Sequence, residues 1–211
     1  MARTEALSRE RIVGAAVELL DTAGENGLTF RALSTHLKTG AGAIYHHVAN
    51  KDELLVAATD GVLARAMASD EAGGSPEDAI RALALAVFDA IDAHPWIGTQ
   101  LTRTGSQPAM LRLFERVGGH LRALGVPAGT QFGAASALLL YISGVAAQNA
   151  AMARDAEPGL DRRAFLESIS TTPDPAAFPF LHAMSTQLRD HDDRTQFLTG
   201  IDLILAGVAA A

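Results

Sequence analysis

Apolar residues recur at spacings of three and four along almost the whole of this 211-residue chain, and no run alternates apolar and polar as a half-buried strand does. A chain patterned this way buries its apolar stripes only by packing helix on helix, so the sequence predicts an all-α fold. Ser8 caps a first helix that carries Ile12, Ala15, Ala16, Leu19, Leu20 and Ala23 on one face and ends at Gly24. Asn50 followed by Glu53 makes a capping-box-like start for a long helix through about Ser69. Ala72-Gly73-Gly74 breaks the chain, and Ser75-Pro76-Glu77-Asp78 opens the next helix, with proline in the first turn. Ser106-Gln107-Pro108 starts another that Gly125 stops, and Pro127 introduces a long Ala- and Gly-rich helix to roughly Arg154. Residues 155–175 read as a loop with one turn around Ala164–Ile169, followed by helices near Pro175–Arg189 and Asp192–Ala209. The count is about nine to ten helices. They divide into a three-helix head over residues 1–51, a linking helix over about 50–70, and a helical bundle body over 72–211.

Composition narrows the setting. A hydrophobic content of 48% fits an ordered globular protein, and the absence of cysteine excludes disulfides and thiolate metal sites. The N-terminus lacks the apolar core of a signal peptide, and the longest apolar-rich run, Ala134 to Ala147, is too short to span a bilayer. A cytoplasmic protein with no membrane partner is expected. The net charge of −7 is unevenly distributed. Residues 1–51 hold Arg3, Arg9, Arg11, Arg31, Lys38 and Lys51 against Glu5, Glu10, Glu18, Asp21 and Glu25, so all of the negative excess lies in the body. A head so weakly basic must depend on geometry and two-fold pairing more than on bulk charge.

The most specific segment runs from Thr29 to Leu55. Phe30, Leu33 and Leu37 face inward on one short helix, and Ile44 and Val48 on a second, around a tight turn at Lys38-Thr39-Gly40. Two short helices crossed in this way form the unit that sets a helix in the major groove of DNA. Tyr45-His46-His47 followed by Lys51-Asp52-Glu53-Leu54 resembles, in order and spacing, the DNA-binding segment of the tetracycline-repressor (TetR) family. The resemblance implies that Thr29 caps the first short helix and touches a phosphate. It also implies that Arg31, Tyr45, His47 and Lys51 grip the DNA backbone. Base edges would be read from Ala41, Gly42 and Ala43, with His46 and Lys38 assisting.

The turn departs from that family's usual Gly, Val and Ser-like cap, having Lys38, Thr39 and Gly40 instead. Lys38 must therefore accept left-handed geometry, at a cost of about 1 kcal/mol for a non-glycine residue, or the turn differs locally. Ala41-Gly42-Ala43 offers almost no hydrogen-bonding side chains, which points to thymine-methyl contacts, close backbone approach and DNA shape as the source of specificity. His46 and His47 point in different directions on a helix and make a poor metal pair.

In the body, Phe88, Trp96, Leu101, Met110, Phe114, Leu138, Tyr141 and Gln148 fall on helices that surround its middle and are candidate walls of a small-molecule pocket. Ordinary core is the competing reading for each. Trp96, Tyr141 and Gln148 stand out because each carries a polar tip that packing alone does not require. The short helix from Trp96 contains no histidine for a magnesium–drug chelate, and His191-Asp192-Asp193, with His182, reads as a solvated turn and helix start. No metal and no cofactor is expected.

The Ala- and Gly-rich long helix and the final helix, with Ile201, Ile204, Leu205 and Val208, suit a two-fold four-helix interface. The expected function is a homodimeric, ligand-responsive repressor that binds a palindromic operator in double-stranded DNA and is released by a small, largely hydrophobic effector. The alternative is a constitutive or architectural DNA-binding dimer without an effector. Neither Gly-x-Ser-x-Gly, nor a phosphate loop, nor His-Glu-x-x-His occurs, so an enzyme is not expected.

Overall fold

The computed structural model describes residues 7–68, 74–101, 108–155 and 174–210, and among them the chain forms eleven helices and no strand. These are α1 (Arg9–Gly27), α2 (Phe30–Leu37), α3 (Ala41–Tyr45), α4 (Lys51–Ala68), α5 (Pro76–Ala93), α6 (Trp96–Leu101), α7 (Pro108–Ala123), α8 (Ala128–Asp155), α9 (Pro179–Ala183), α10 (Ser185–Asp190) and α11 (Asp193–Ala209).

Local chemistry sets most of the boundaries. The Ser8 hydroxyl accepts from the Arg11 N–H at 3.3 Å, and Thr29 Oγ1 accepts from the Ala32 N–H at 3.1 Å. At the start of α4, Asn50 Oδ1 accepts from the Glu53 N–H at 2.8 Å while Glu53 Oε2 accepts from the Ala49 N–H at 2.8 Å. Ser75 caps α5 and also donates its hydroxyl to Asp78 at 2.9 Å, which holds the Asp78 carboxyl below its ordinary value. Gly125, at φ 79, ends α7.

Two boundaries differ from expectation. Gly24 (φ 64, ψ −173) kinks α1 without ending it, because the chain resumes helical geometry to Gly27. The helix expected over Pro175–Arg189 begins only at Pro179 and is divided at Met184 (φ −94, ψ 3). Asp174 Oδ1 accepts from the Ala176 N–H at 3.0 Å, forming an Asx turn, and the ring of Pro179 keeps Phe178 out of helical geometry. The turn expected around Ala164–Ile169 lies outside the described residues.

The head packs α1 on α2 and α4, and α2 on α3. Ile12, Ala16, Leu20, Leu28, Leu33, Ile44, Val48, Leu54 and Leu55 are buried there, while Phe30 and Leu37 sit at its margin. Each fully buried Val, Leu or Ile among them contributes about 1.5–3 kcal/mol. Helix α4 continues from the head onto α5 and α7 of the body. Helix α8 is the body's axis, with α5, α6, α7 and α11 packed around it.

Residues Ala128–Met152 of α8 are long and apolar enough to cross a bilayer, with mean hydropathy 1.3, and exceed the apolar run read from the sequence. Their distribution is that of a core helix with one uncovered side. Ala134, Ala135, Leu138, Ile142, Ala146 and Ala150 are buried on one face, and Phe132, Gly133, Ala137, Leu140, Gly144 and Gln148 are exposed on the other. Helix α11 is two-sided in the same way. Ile201 and Leu205, expected at a subunit interface, belong to the chain's own core, and Leu203, Ala206 and Gly207 are among the exposed residues. A helix that buries one stripe in its own core has only the opposite stripe to offer a partner.

Candidate nucleic-acid interface and effector cavity

The turn between α2 and α3 takes the left-handed geometry. Lys38 lies at φ 53, ψ 46, the only non-glycine residue with positive φ among the described residues. Its N–H bonds the Thr35 carbonyl at 3.2 Å and the Thr39 N–H bonds that of Ser34 at 3.0 Å, closing the last turn of α2. Gly40 (φ −81, ψ 145) then caps α3 without a side-chain oxygen. Buried Ile44 fastens α3 to the head, which leaves Ala41 and Gly42 exposed and Ala43 half-buried.

The Tyr45 ring stacks on Phe30, with centroids 4.3 Å apart and planes 8° apart, and remains 54% exposed. His46 is exposed and His47 half-buried. A groove of about 510 Å³ beside α3 is lined by Arg31, Ser34, Thr35, Lys38, Thr39, Gly40 and Ala41. The structure thus brings together Arg31, Lys38, Thr39, Gly40 and Ala41. Ser34 and Thr35 were missed, although the helical spacing of 31, 34, 35 and 38 places them on the same face.

Two of the expected DNA contacts have roles within the head. Thr29 is the α2 cap, and the half-buried Lys51 donates its ammonium to the Glu25 carbonyl beyond the kink in α1. The Glu25 carbonyl also accepts the Leu28 N–H at 3.3 Å, and a cation beside it complements the negative end of the α1 dipole.

In the body, a cavity of about 400 Å³ lies between α6 and α8, lined by Gly98, Thr99, Leu101, Ser143, Gly144, Ala147, Gln148 and Ala151. Leu101 and Gln148 of the expected pocket residues reach it. The others do not line it. Phe88 stacks on Phe197 at 4.7 Å and Leu138 is fully buried, so both are core. Phe114 meets Phe132 edge-on at 6.1 Å, and Met110 packs half-buried against the core. Tyr141 stacks on Phe197 at 5.6 Å and donates its hydroxyl to the Phe197 carbonyl at 3.3 Å, while burial raises its phenol above the ordinary value.

Trp96 belongs to a joint between body and head. Its indole N–H donates to Asp21 Oδ1 of α1 at 2.7 Å, and His94 Nδ1 lies 2.7 Å from the same oxygen. One turn further along α6, the buried Gln100 amide donates to Glu25 Oε2 at 3.0 Å. The pairings of Asp21 with His94 and Trp96, and of Glu25 with Gln100, carried no signal in the sequence, because nothing local pairs residues some 75 positions apart. The walls of the cavity were hidden for a different reason. Gly144 and Ala147 leave room by being small, whereas Gly98 lets α6 close on α8, since a methyl group added to it would stand 3.1 Å from the Ala147 Cα.

A helix-turn-helix head joined through the long α4, and braced by the short α6, to a cavity-bearing all-α body defines a class, the DNA-binding regulators. Residues 12–58 match the family model of bacterial regulatory proteins of the tetR family, and residues 69–211 match that of the tetracyclin repressor-like C-terminal domain. An HTH-type transcriptional regulator of Saccharopolyspora erythraea is 31% identical over 205 residues, 97% of this chain and 85% of its own length. The transcriptional regulator SCO7222, a TetR from Streptomyces coelicolor, has 52% identity and a TM-score of 0.86, covering 97% of this chain and 99% of that one. ActR from Streptomyces coelicolor, solved in complex with actinorhodin, shares the fold at 24% identity, with a TM-score of 0.78 over 98% of this chain and 97% of its own. The chain belongs to the TetR family of DNA-binding transcriptional regulators.

Proposed function

We propose that this regulator is a homodimeric repressor that leaves a palindromic operator when a small, largely hydrophobic effector enters the cavity between α6 and α8. The observation that carries the reading is the position of α6. Gly98, Thr99 and Leu101 of this six-residue helix line the cavity, while Trp96 and Gln100 hold Asp21 and Glu25 of α1. An effector that binds better when α6 is displaced therefore loosens or reorients the head, and the shift is limited by its differential affinity for the two states. The complex of ActR, a protein of the same fold, with actinorhodin supports a small-molecule effector.

The uncovered faces of α8 and α11 support the dimer. Gly133 and Gly207 border open space, so a second copy's helices can approach closely between the exposed Phe132, Leu140 and Leu203. In the head, Ala41-Gly42-Ala43 reads sequence through thymine methyls, backbone approach and groove shape.

Selection of an operator from random duplexes by the purified chain, followed by a displacement screen of hydrophobic compounds, tests the reading. The expected result is a two-fold operator released saturably by one chemical class. Operator binding that no compound relieves would favour a constitutive binder. Light scattering that shows a monomer at micromolar concentration would remove the dimer.

A further inference from the structure

The basic side chains of the head are not equally available. Arg9 pairs with Glu53 at 3.0 Å, Lys51 donates to the Glu25 carbonyl, and Arg11 is also engaged within the protein. Arg31 and Lys38 have no acidic partner among the described residues, and both are exposed. Both also line the groove beside α3. No carboxylate lines that groove, and the Ser34 and Thr35 hydroxyls donate to the Phe30 carbonyl at 2.7 Å and the Arg31 carbonyl at 3.0 Å. The unpartnered charge in this wall is therefore purely cationic.

Lys38 is also the residue held at φ 53, ψ 46. Glycine adopts that conformation freely, whereas a lysine there weakens the fold, and such strain persists where the residue is needed for something else.

We infer that Lys38 joins Arg31, for which the family resemblance already implies a backbone contact, as a second cation anchoring the DNA backbone beside the recognition helix, and that Lys38 is kept at a strained position for its charge. The inference rests on the DNA-binding reading of the head and assigns Lys38 to phosphate rather than to a base edge. Lys38 sits at the end of α2, and in a helix-turn-helix the first helix crosses the backbone while the second enters the groove. A lysine ammonium acts on phosphate as a point charge, with no bidentate geometry to satisfy. In so weakly basic a head, two free cations carry much of the sequence-independent attraction.

The test combines thermal unfolding with binding to the selected operator and to a mixed-sequence duplex over a series of salt concentrations. Lys38→Gly is expected to raise Tm, to weaken both duplexes by a similar factor, and to reduce the salt slope by about 0.9, the value of one phosphate contact. Lys38→Asn, neutral but tolerant of the left-handed region, is expected to lose the same binding. Lys38→Arg is expected to keep it. Unchanged affinity and slope in Lys38→Gly would overturn the inference. So would a lower Tm with an unchanged slope, which would make Lys38 a favourable charge at the α2 C-terminus. A loss confined to the operator would make it a base reader. Wild-type protein that binds neither duplex would instead overturn the DNA-binding reading itself.

Discussion

In the head, Gly40 and Gly42 border open space, and a methyl group added to either would meet no atom within 4 Å. In the body, Gly98 is pressed against the backbone of Ala147, and a methyl group on Gly200 would overlap the ring and hydroxyl of Tyr141. The same residue type leaves a surface bare for a partner at one end and lets helices cross closely at the other. The difference separates a surface that waits for DNA from helix crossings that are already closed. Substitutions at the two ends should therefore move different observables.

The largest effect on folding is expected at Gly200→Ala. Tyr141 is held from two sides, by its stack on Phe197 and by its hydrogen bond to the Phe197 carbonyl, so it cannot swing away from the new methyl group. Forcing α11 from α8 should cost about 1–3 kcal/mol, read as a lower midpoint in chemical denaturation. An unchanged midpoint would show that α11 slides along α8 and that the close approach is not a constraint.

A smaller effect is expected where the two regions meet. Asp21→Ala removes the acceptor of the Trp96 indole, which is 5% exposed, and the partner of His94. Because Asp21 itself is partly solvated, water replaces some of what is lost, and the cost should lie near the low end for an abandoned buried donor, about 1 kcal/mol. The informative readout is release. If α6 transmits cavity occupancy through this joint, the variant should bind operator yet need more effector to leave it. Asp21→Asn, which keeps an acceptor oxygen, should fall between it and the wild type. Equal effector sensitivity in all three would move the coupling to α4.

What could be read in advance followed from range. Ser8, Asn50 and Ser75 act within three residues of themselves, so these helix starts were legible in the sequence, and Lys38 stood out as either left-handed or part of a different turn, of which the left-handed form is the one found. Trp96 and Tyr141 misled for the opposite reason. Their polar tips looked available for a ligand, but Asp21 and the Phe197 carbonyl, brought in by tertiary packing, already take them. Of the cavity walls only Leu101 and Gln148 stood out in advance; much of the rest is glycine and alanine, and room left by small residues gives periodicity nothing to register. The break at Met184 belongs with these, since no glycine or proline marks it.

The smallest effect on folding, and the sharpest test of the bare recognition surface, is Gly42→Ala. With open space around it and a helical backbone, the substitution should leave the fold unharmed or stabilise it by up to about 1 kcal/mol, as alanine does relative to glycine in exposed helix. If α3 reads DNA by close backbone approach, the added methyl group stands between helix and base pairs. Affinity for the selected operator should then fall while affinity for mixed-sequence DNA and the salt slope stay as they were. That pattern is the converse of the one expected at Lys38, where both duplexes weaken together. Were Gly42→Ala to bind its operator as tightly as wild type, the reading would shift from backbone approach to Tyr45, His46 and the shape of the groove. An altered operator preference at unchanged affinity would instead show that α3 tolerates side chains there, and that its bareness sets which sequence is read.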